Sequence, residues 1–268
     1  MRPNETLSKL VNQSGFPLQL AIQHLVEQHE SDIGWRVLYR EHGWTSPGGS
    51  TGFADLVLED QYDSSVLVLE CKRVLESDWI FTIDRKLFKS TDKTRAWVTN
   101  TPDHGREHFG HFDARVQPES QEAMFCIVAG QDTKSRPLLE RIAAETLSAM
   151  EAIATEERDM LLSRRNGFRL YASVIVTTAR LITTLIDPAK ILLATGEASE
   201  MHHQVVPWIR FRKQFSSDYA ITPGADDWDL RQLARAKEKT VFVVNAEHMA
   251  EFLKQWDINN ASLRPLMR

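Results

Sequence analysis

The sequence predicts a mixed α/β fold on three observations: an amphipathic helix ahead of three closely spaced strands, a long amphipathic helix near the middle, and further apolar strands after it. The first helix, Phe16 to Glu30, sets Leu18, Ala21, Ile22, Leu25 and Val26 at three- and four-residue steps. Pro17 suits its first turn, where a missing N–H leaves no bond unmade. Gly34 to Glu41 alternates Trp35, Val37 and Tyr39 with Arg36, Leu38 and Arg40, a strand with at least one apolar face. Ser46, Pro47, Gly48, Gly49, Ser50 and Gly52 then mark a loop. Two strands follow, Phe53 to Leu58 and Ser65 to Lys72, the second apolar enough for burial on both faces. The polar link Glu59 to Ser64 is short enough to make them an antiparallel hairpin.

Farther on, Ala96 to Thr99 and Met124 to Ala129 read as short strands, and the His-, Gly- and Asp-rich stretch between them reads as loop. Arg136 to Arg165 carries Leu138, Leu139, Ile142, Ala143, Thr146, Leu147, Met150, Ile153 and Ala154 at helical spacing, which predicts a long helix packed on a sheet. Leu170 to Thr178, Ile191 to Thr195, Val205 to Phe211 and Thr240 to Asn245 are expected strands, closed by a helix from Ala246 to Trp256. The expectation is a mixed sheet flanked by helices in a single elaborated domain over 1–268, with its core motif in 16–73 and later strands and a helix added in 168–268.

At 268 residues, 42% hydrophobic and 26% charged, the chain can bury one substantial core. Nothing in it approaches the roughly 18 uninterrupted apolar residues of a membrane span, and the first residues lack the apolar centre of a signal peptide, so a cytoplasmic protein with no membrane partner is expected. Cys71 and Cys126 are the two cysteines, too few for a disulfide framework or a cysteine-rich zinc site. A net charge of -5 gives no global nucleic-acid signature, so phosphate binding would fall to a local basic stripe.

The chemistry concentrates in Asp55, within FADLVLE, and Glu70 and Lys72, within VLVLECKR. Side chains alternate along a strand, so Glu70 and Lys72 share a face while Cys71 points away. In a hairpin Asp55 lies beside them. Two carboxylates converging with one ammonium at the end of an apolar strand require a counter-charge, which a divalent metal supplies. Asp55 and Glu70 offer hard oxygen ligands suited to magnesium or manganese, with the Cys71 main-chain carbonyl as a further ligand. Lys72 is placed to orient or deprotonate an attacking water and to stabilise developing negative charge.

The order of helix, strand, strand with Asp, and strand with Glu-x-Lys resembles the PD-(D/E)XK, or restriction-endonuclease-like, nuclease superfamily over Phe16 to Arg73. The resemblance implies that Asp55 and Glu70 are metal ligands and Lys72 the catalytic lysine. It also implies a Mg2+- or Mn2+-dependent hydrolase cutting nucleic acid, DNA above all, in settings such as bacterial defence or DNA repair. Homodimers are common in that superfamily, and a homodimer is expected here by resemblance. Ala54 stands where the pattern has proline. The superfamily's helix glutamate is not at the early helix position, which Gln19 occupies, so the metal shell is left open among Gln19, Glu27, Glu30 and Glu41. Glu41 is favoured because a strand end reaches the same site. A second reading keeps the fold as a catalytically inactive binding or sensing module.

Arg210, Arg212 and Lys213, interleaved with Trp208, Ile209 and Phe211 and joined by Arg73, are candidates for a nucleic-acid-binding stripe; the alternative is the solvated face of an edge strand. His104, His108 and His111 have tempting zinc spacing, but the surrounding glycines favour a polar loop, and His202 and His203 are read as loop residues. No Gly-x-x-x-x-Gly-Lys loop is present, so any energy-driven motor or regulator would be a separate partner.

Overall fold

The alternation of the first third folds as read. The strands β1 (Trp35–Thr45), β2 (Thr51–Asp60) and β3 (Ser65–Lys72) form an antiparallel meander in this computed structural model. The structure describes residues 3–75, 77–102, 105–130, 137–162, 167–215, 234 and 237–266. Ahead of the meander stand α1 (Pro3–Gln13), α2 (Phe16–Gln28) and the single turn α3 (Glu30–Ile33). Leu18, Ile22 and Val26 of α2 are buried against Leu56, Leu58, Leu67 and Leu69. Each such side chain withdrawn from water contributes about 1.5–3 kcal/mol.

After β3 come β4 (Asp78–Asp84), β5 (Thr91–Asn100), β6 (His108–Ser120), β7 (Glu122–Ala123) and β8 (Phe125–Val128). The chain then forms α4 (Leu138–Glu156) and α5 (Arg158–Leu162) and returns through β9 (Phe168–Thr177), which pairs parallel to β3. A parallel partner requires a crossover, and α4 lies within it. The rest comprises β10 (Arg180–Ile186), β11 (Ile191–Leu192), β12 (Glu197–Ala198), β13 (Met201–Val205), β14 (Trp208–Gln214), β15 (Glu238–Asn245), α6 (Met249–Gln255) and β16 (Asp257–Ile258).

The main sheet runs β1-β2-β3-β9-β15-β14-β7, with β5 and β6 attached through β9; β13-β10-β4-β8 forms a separate small sheet. Two cores cover the faces of the main sheet. One joins it to α2 and α6; the other joins it to α4 and the small sheet through Trp79, Phe81, Ile83 and Leu181. On β3, Val66 and Val68 belong to the α4 side and Leu67 and Leu69 to the α2 side, so alternation puts Glu70 and Lys72 on the α4 side.

Two buried ion networks pin α4 to that face. Arg169 bridges Glu59 and Glu157, and Glu157 accepts from the hydroxyls of Tyr171 at 2.8 Å and Tyr39 at 3.1 Å. Burial beside Glu157 pushes the Tyr39 phenol up to about 12. Six residues earlier in α4, Glu151 accepts from His111 and Lys239, each at 2.6 Å. These pairs are desolvated, so removing one partner would strand a buried charge.

The structure corrects several expectations. The stretch read as loop is largely β6, because Phe109, His111, Ala114 and Val116 pack inward while pairing with β5. Asp78–Asp84 and Arg180–Ile186 are strands that the pattern did not mark. Val205 to Phe211 is not one strand: Pro207 separates β13 in the small sheet from β14 in the main one, since proline donates no ladder bond. Ile191 to Thr195 shrinks to the two residues of β11, and His202 and His203 lie in β13 rather than a loop. His104, Arg136 and the end of the expected long helix at 163–165 lie outside the described residues.

Candidate active site

Strand register sets the site. Arg40 pairs with Leu56 and His42 with Ala54, which leaves Glu41 opposite Asp55. Leu56 pairs with Leu69, and one further step puts Asp55 opposite Glu70. Glu41, Asp55 and Glu70 therefore form a row across three neighbouring strands, whose spacing is about 4.8 Å. Lys72 follows on the same face, two residues past Glu70.

Local bonds hold this row. Beyond Leu56 and Leu69 the Asp55 carboxylate accepts the Cys71 N–H at 2.7 Å, standing in for a backbone carbonyl and fixing one of its oxygens. Gln19 of α2 donates to Glu41 Oε1 at 2.5 Å and to the Asp55 carbonyl at 3.0 Å, tying helix and two strands together. Glu41 lies within β1 rather than at its end, and its φ of 45° puts it in the left-handed region. That conformation is unusual for a non-glycine residue and concentrates where a side chain must be re-aimed. Glu41, favoured for the metal shell, and Gln19, the other residue carried forward, are bonded to each other beside the Asp55 backbone. Glu27 instead pairs with Arg40, and Glu30 is exposed at the start of α3. The Cys71 carbonyl lies beside Gly15, at the mouth of α2.

Asp55 and Glu70 open into a cleft of about 520 Å³ between the meander and α4, with Trp44, Phe53, Arg141, Glu145 and Ser148 among its lining. Sequence reading missed the α4 contribution. Its trace is there, because Arg141, Glu145 and Ser148 recur at helical steps among the apolar positions of α4.

The electrostatics are those of crowded, half-buried acids. Burial pushes Glu70 up from its ordinary 4.5 to about 7; Asp55, Glu145 and Glu41 add to the rise and Lys72 opposes it. Burial also raises Asp55, reinforced by Glu41 and opposed by the Cys71 N–H and Lys72. Among the described residues neither the Glu70 carboxylate nor the Lys72 ammonium has a hydrogen-bond or ion-pair partner. The same residues contain no three His, Cys, Asp or Glu side chains converged on one ion position. A set of Asp55, Glu70 and the Cys71 carbonyl includes only two such side chains, and magnesium keeps several waters in its shell. The donors are all hard oxygens in excess negative charge, which fits such a cation.

The expected nucleic-acid stripe does not form. Arg210 is fully buried; it donates to Pro118 O, Val116 O, Ser120 Oγ and Thr94 Oγ1 and lies 4.8 Å from the Phe242 ring centroid. Nor is it on an open edge, since β14 is flanked by β15 and β7. Arg212 is occupied by Glu238, Asp113 and Glu122, and Lys213 by Glu140. Arg73 is half-buried just past β3. His111 is held by Glu151, and His108 contacts the Gly110 carbonyl, so neither serves a zinc site.

Fold and cleft thus define a mixed α/β protein with a pair of acids, Asp55 and Glu70, in a cleft between a sheet and a helix. Comparison with family models, with curated proteins and with solved structures finds no match. Among the described residues no helix is long and apolar enough to cross a membrane.

Proposed function

We propose that the chain is a divalent-metal-dependent phosphodiesterase of the PD-(D/E)XK type acting on nucleic acid, with DNA the first substrate to test. The observation that carries this reading is Asp55 and Glu70 side by side on neighbouring strands and opening into a cleft, with Lys72 two residues beyond Glu70. The meander that bears the row is preceded by α2 and followed, through α4, by a strand parallel to β3, so the Asp and Glu-x-Lys strands are central and rigidly held.

Asp55 and Glu70 would hold magnesium or manganese, with the Cys71 carbonyl as an additional oxygen. Such an ion lowers the pKa of bound water and draws charge from the reacting phosphoryl group. The chain's own groups supply the rest. Asp55 is oriented by the Cys71 N–H, so its free oxygen has a fixed direction. Gln19 holds Glu41 beside the Asp55 backbone, so a third carboxylate stands next to the pair. Lys72, free of ion pairs among the described residues, is available to orient the attacking water and to meet negative charge as it develops.

The test is cleavage of supercoiled and single-stranded DNA by purified protein in magnesium, manganese or EDTA, with Glu70→Ala and Lys72→Ala alongside wild type. Metal-dependent cutting lost in both variants is the expected result. Folded protein that cuts nothing in any metal would overturn the hydrolytic reading and leave a binding module.

A further inference from the structure

The small sheet β13-β10-β4-β8 has one face on the core and one open. Strand alternation sorts its side chains: Trp79, Phe81, Ile83, Leu181, Cys126 and Val128 pack inward on the α4 side. The register lines up what points the other way. Val205 pairs with Ile182, Ile182 with Ile80, and Ile80 with Ile127, an aliphatic rung four strands wide. The next outward rung holds His203, Thr184 and Thr82, with the Thr184 hydroxyl 2.9 Å from His203 Nδ1. Met201 and Ile186 follow in the rung after that. Neither core includes Ile80, Ile182 or Ile186, while Val205 is 61% and Ile127 56% exposed.

No carboxylate, lysine or arginine stands in the first two of these rungs. Charges sit at the two ends of the strands and are spent there. At one end Arg180 holds Asp78 through bonds of 2.9 and 2.8 Å; at the other Lys190 holds Glu200. Asp84 and Asp187, which close the neighbouring strands β4 and β10, cap the turns that follow by accepting from the Lys86 and Ala189 N–H groups. The same end carries more open apolar surface. Leu87, on the first of those turns, is 70% exposed, and Leu193, in the β11–β12 hairpin that joins β10 to β13, is 99% exposed. At their exposures Val205, Ile127, Met201, Leu87, Leu192 and Leu193 leave about 500–600 Å² uncovered, the upper end of what a monomer ordinarily shows in one patch.

We propose that this face is a self-association surface: a second copy of the chain packs its own small sheet against it about a two-fold axis, the two sheets about 10 Å apart with their aliphatic rungs interdigitated. Doubled over two copies, the open apolar side chains account for about 1,100 Å², past the roughly 1,000 Å² that a specific interface needs. Charge selects the occupant. Uncharged rungs let like meet like without repulsion, whereas a polyanion finds no cation on them. The pairing uses none of Asp55, Glu70 and Lys72, so it stands apart from the hydrolytic reading.

The experiment is sedimentation equilibrium of the full chain from about 1 to about 100 µM, a range that spans a micromolar dimer. Ile127→Glu and Val205→Glu alter the face, and Leu10→Glu, at an exposed apolar residue of α1, is the control. Wild type and Leu10→Glu should move from 30.7 kDa toward twice that mass as concentration rises. Each face substitution enters a two-fold interface twice, so it should weaken the dimer about 30-fold or more, with an unchanged circular-dichroism melt. Hydrogen exchange of wild type gives a reading free of substitutions: β8 and β13 should exchange more slowly at the high concentration than at the low one, and α1 should not change. A wild type that stays monomeric at about 100 µM would overturn the proposal and hand the face to a different protein. A dimer kept in both face variants, or one lost equally in Leu10→Glu, would overturn it by placing the contact elsewhere.

Discussion

Glu70→Gln replaces the most perturbed carboxyl of the site with a neutral group of the same shape. In metal-free protein Glu70 titrates at about 7 rather than 4.5, because burial and then Asp55 disfavour its charge. An unfolded chain therefore releases this proton at lower pH than the folded one does. Between about 4.5 and 7 the native state binds more protons, so stability falls as pH rises, and above 7 the full penalty is present. The displacement corresponds to roughly 3 kcal/mol carried by the ionised carboxylate. Glu70→Gln should thus stabilise the EDTA-treated protein by up to that amount at pH 8 and by almost nothing near pH 4.5. For a chain of this size that is a rise of roughly 6–10 °C in Tm at pH 8. Thermal unfolding of both proteins in EDTA across this range measures it. A Tm difference that does not change with pH, or a variant less stable at pH 8, would refute the claim that Glu70 is a strained acid awaiting a counter-charge.

Further outcomes follow from the same geometry. Magnesium should stabilise wild type above pH 7 by about 2.7 kcal/mol at a hundredfold excess over Kd, raising its Tm, and should lose this effect in Asp55→Asn; scanning fluorimetry reads both. Gln19→Ala frees Glu41 from Asp55 and should weaken Mn2+ affinity about 10-fold by calorimetry with the fold retained; equal affinity would remove Glu41 from the site. Arg210→Ala strands the Val116 and Pro118 carbonyls, at about 1–3 kcal/mol each, and should destabilise by about 2–6 kcal/mol in urea unfolding, whereas a surface arginine would change little. Gly52→Ala forces a Cβ against Trp44 and should lower stability by about 1–3 kcal/mol, with the shift visible in tryptophan fluorescence.

The catalytic candidates were legible because their arrangement is local. Glu70 and Lys72 share a face by strand alternation, and a short turn forces Asp55 alongside them, so the eighteen residues from Asp55 to Lys72 contain the geometry. The opposite held for β6. Its two glycines and polar residues look like loop, yet pairing with β5 and packing of Trp97 on Phe109 and His111 make it a strand. Arg210 misled for a related reason. In sequence it alternates with apolar residues as a solvent-facing cation does; its acceptors lie on β5 and around the end of β6, about ninety residues or more away.

Sequence alone determined the meander, the two flanking helices and the Asp55, Glu70, Lys72 face, since backbone alternation, helical spacing and a short hairpin link act between near neighbours. Tertiary structure decided which charges are spent and which are free. It sent Arg210, Arg212 and Lys213 to internal partners, joined Glu41 to Gln19, and laid Arg141 and Glu145 of α4 across the cleft from the acids. The cause is desolvation. A buried charge must find a partner wherever the fold places one, and that place is set by segments far apart in the chain.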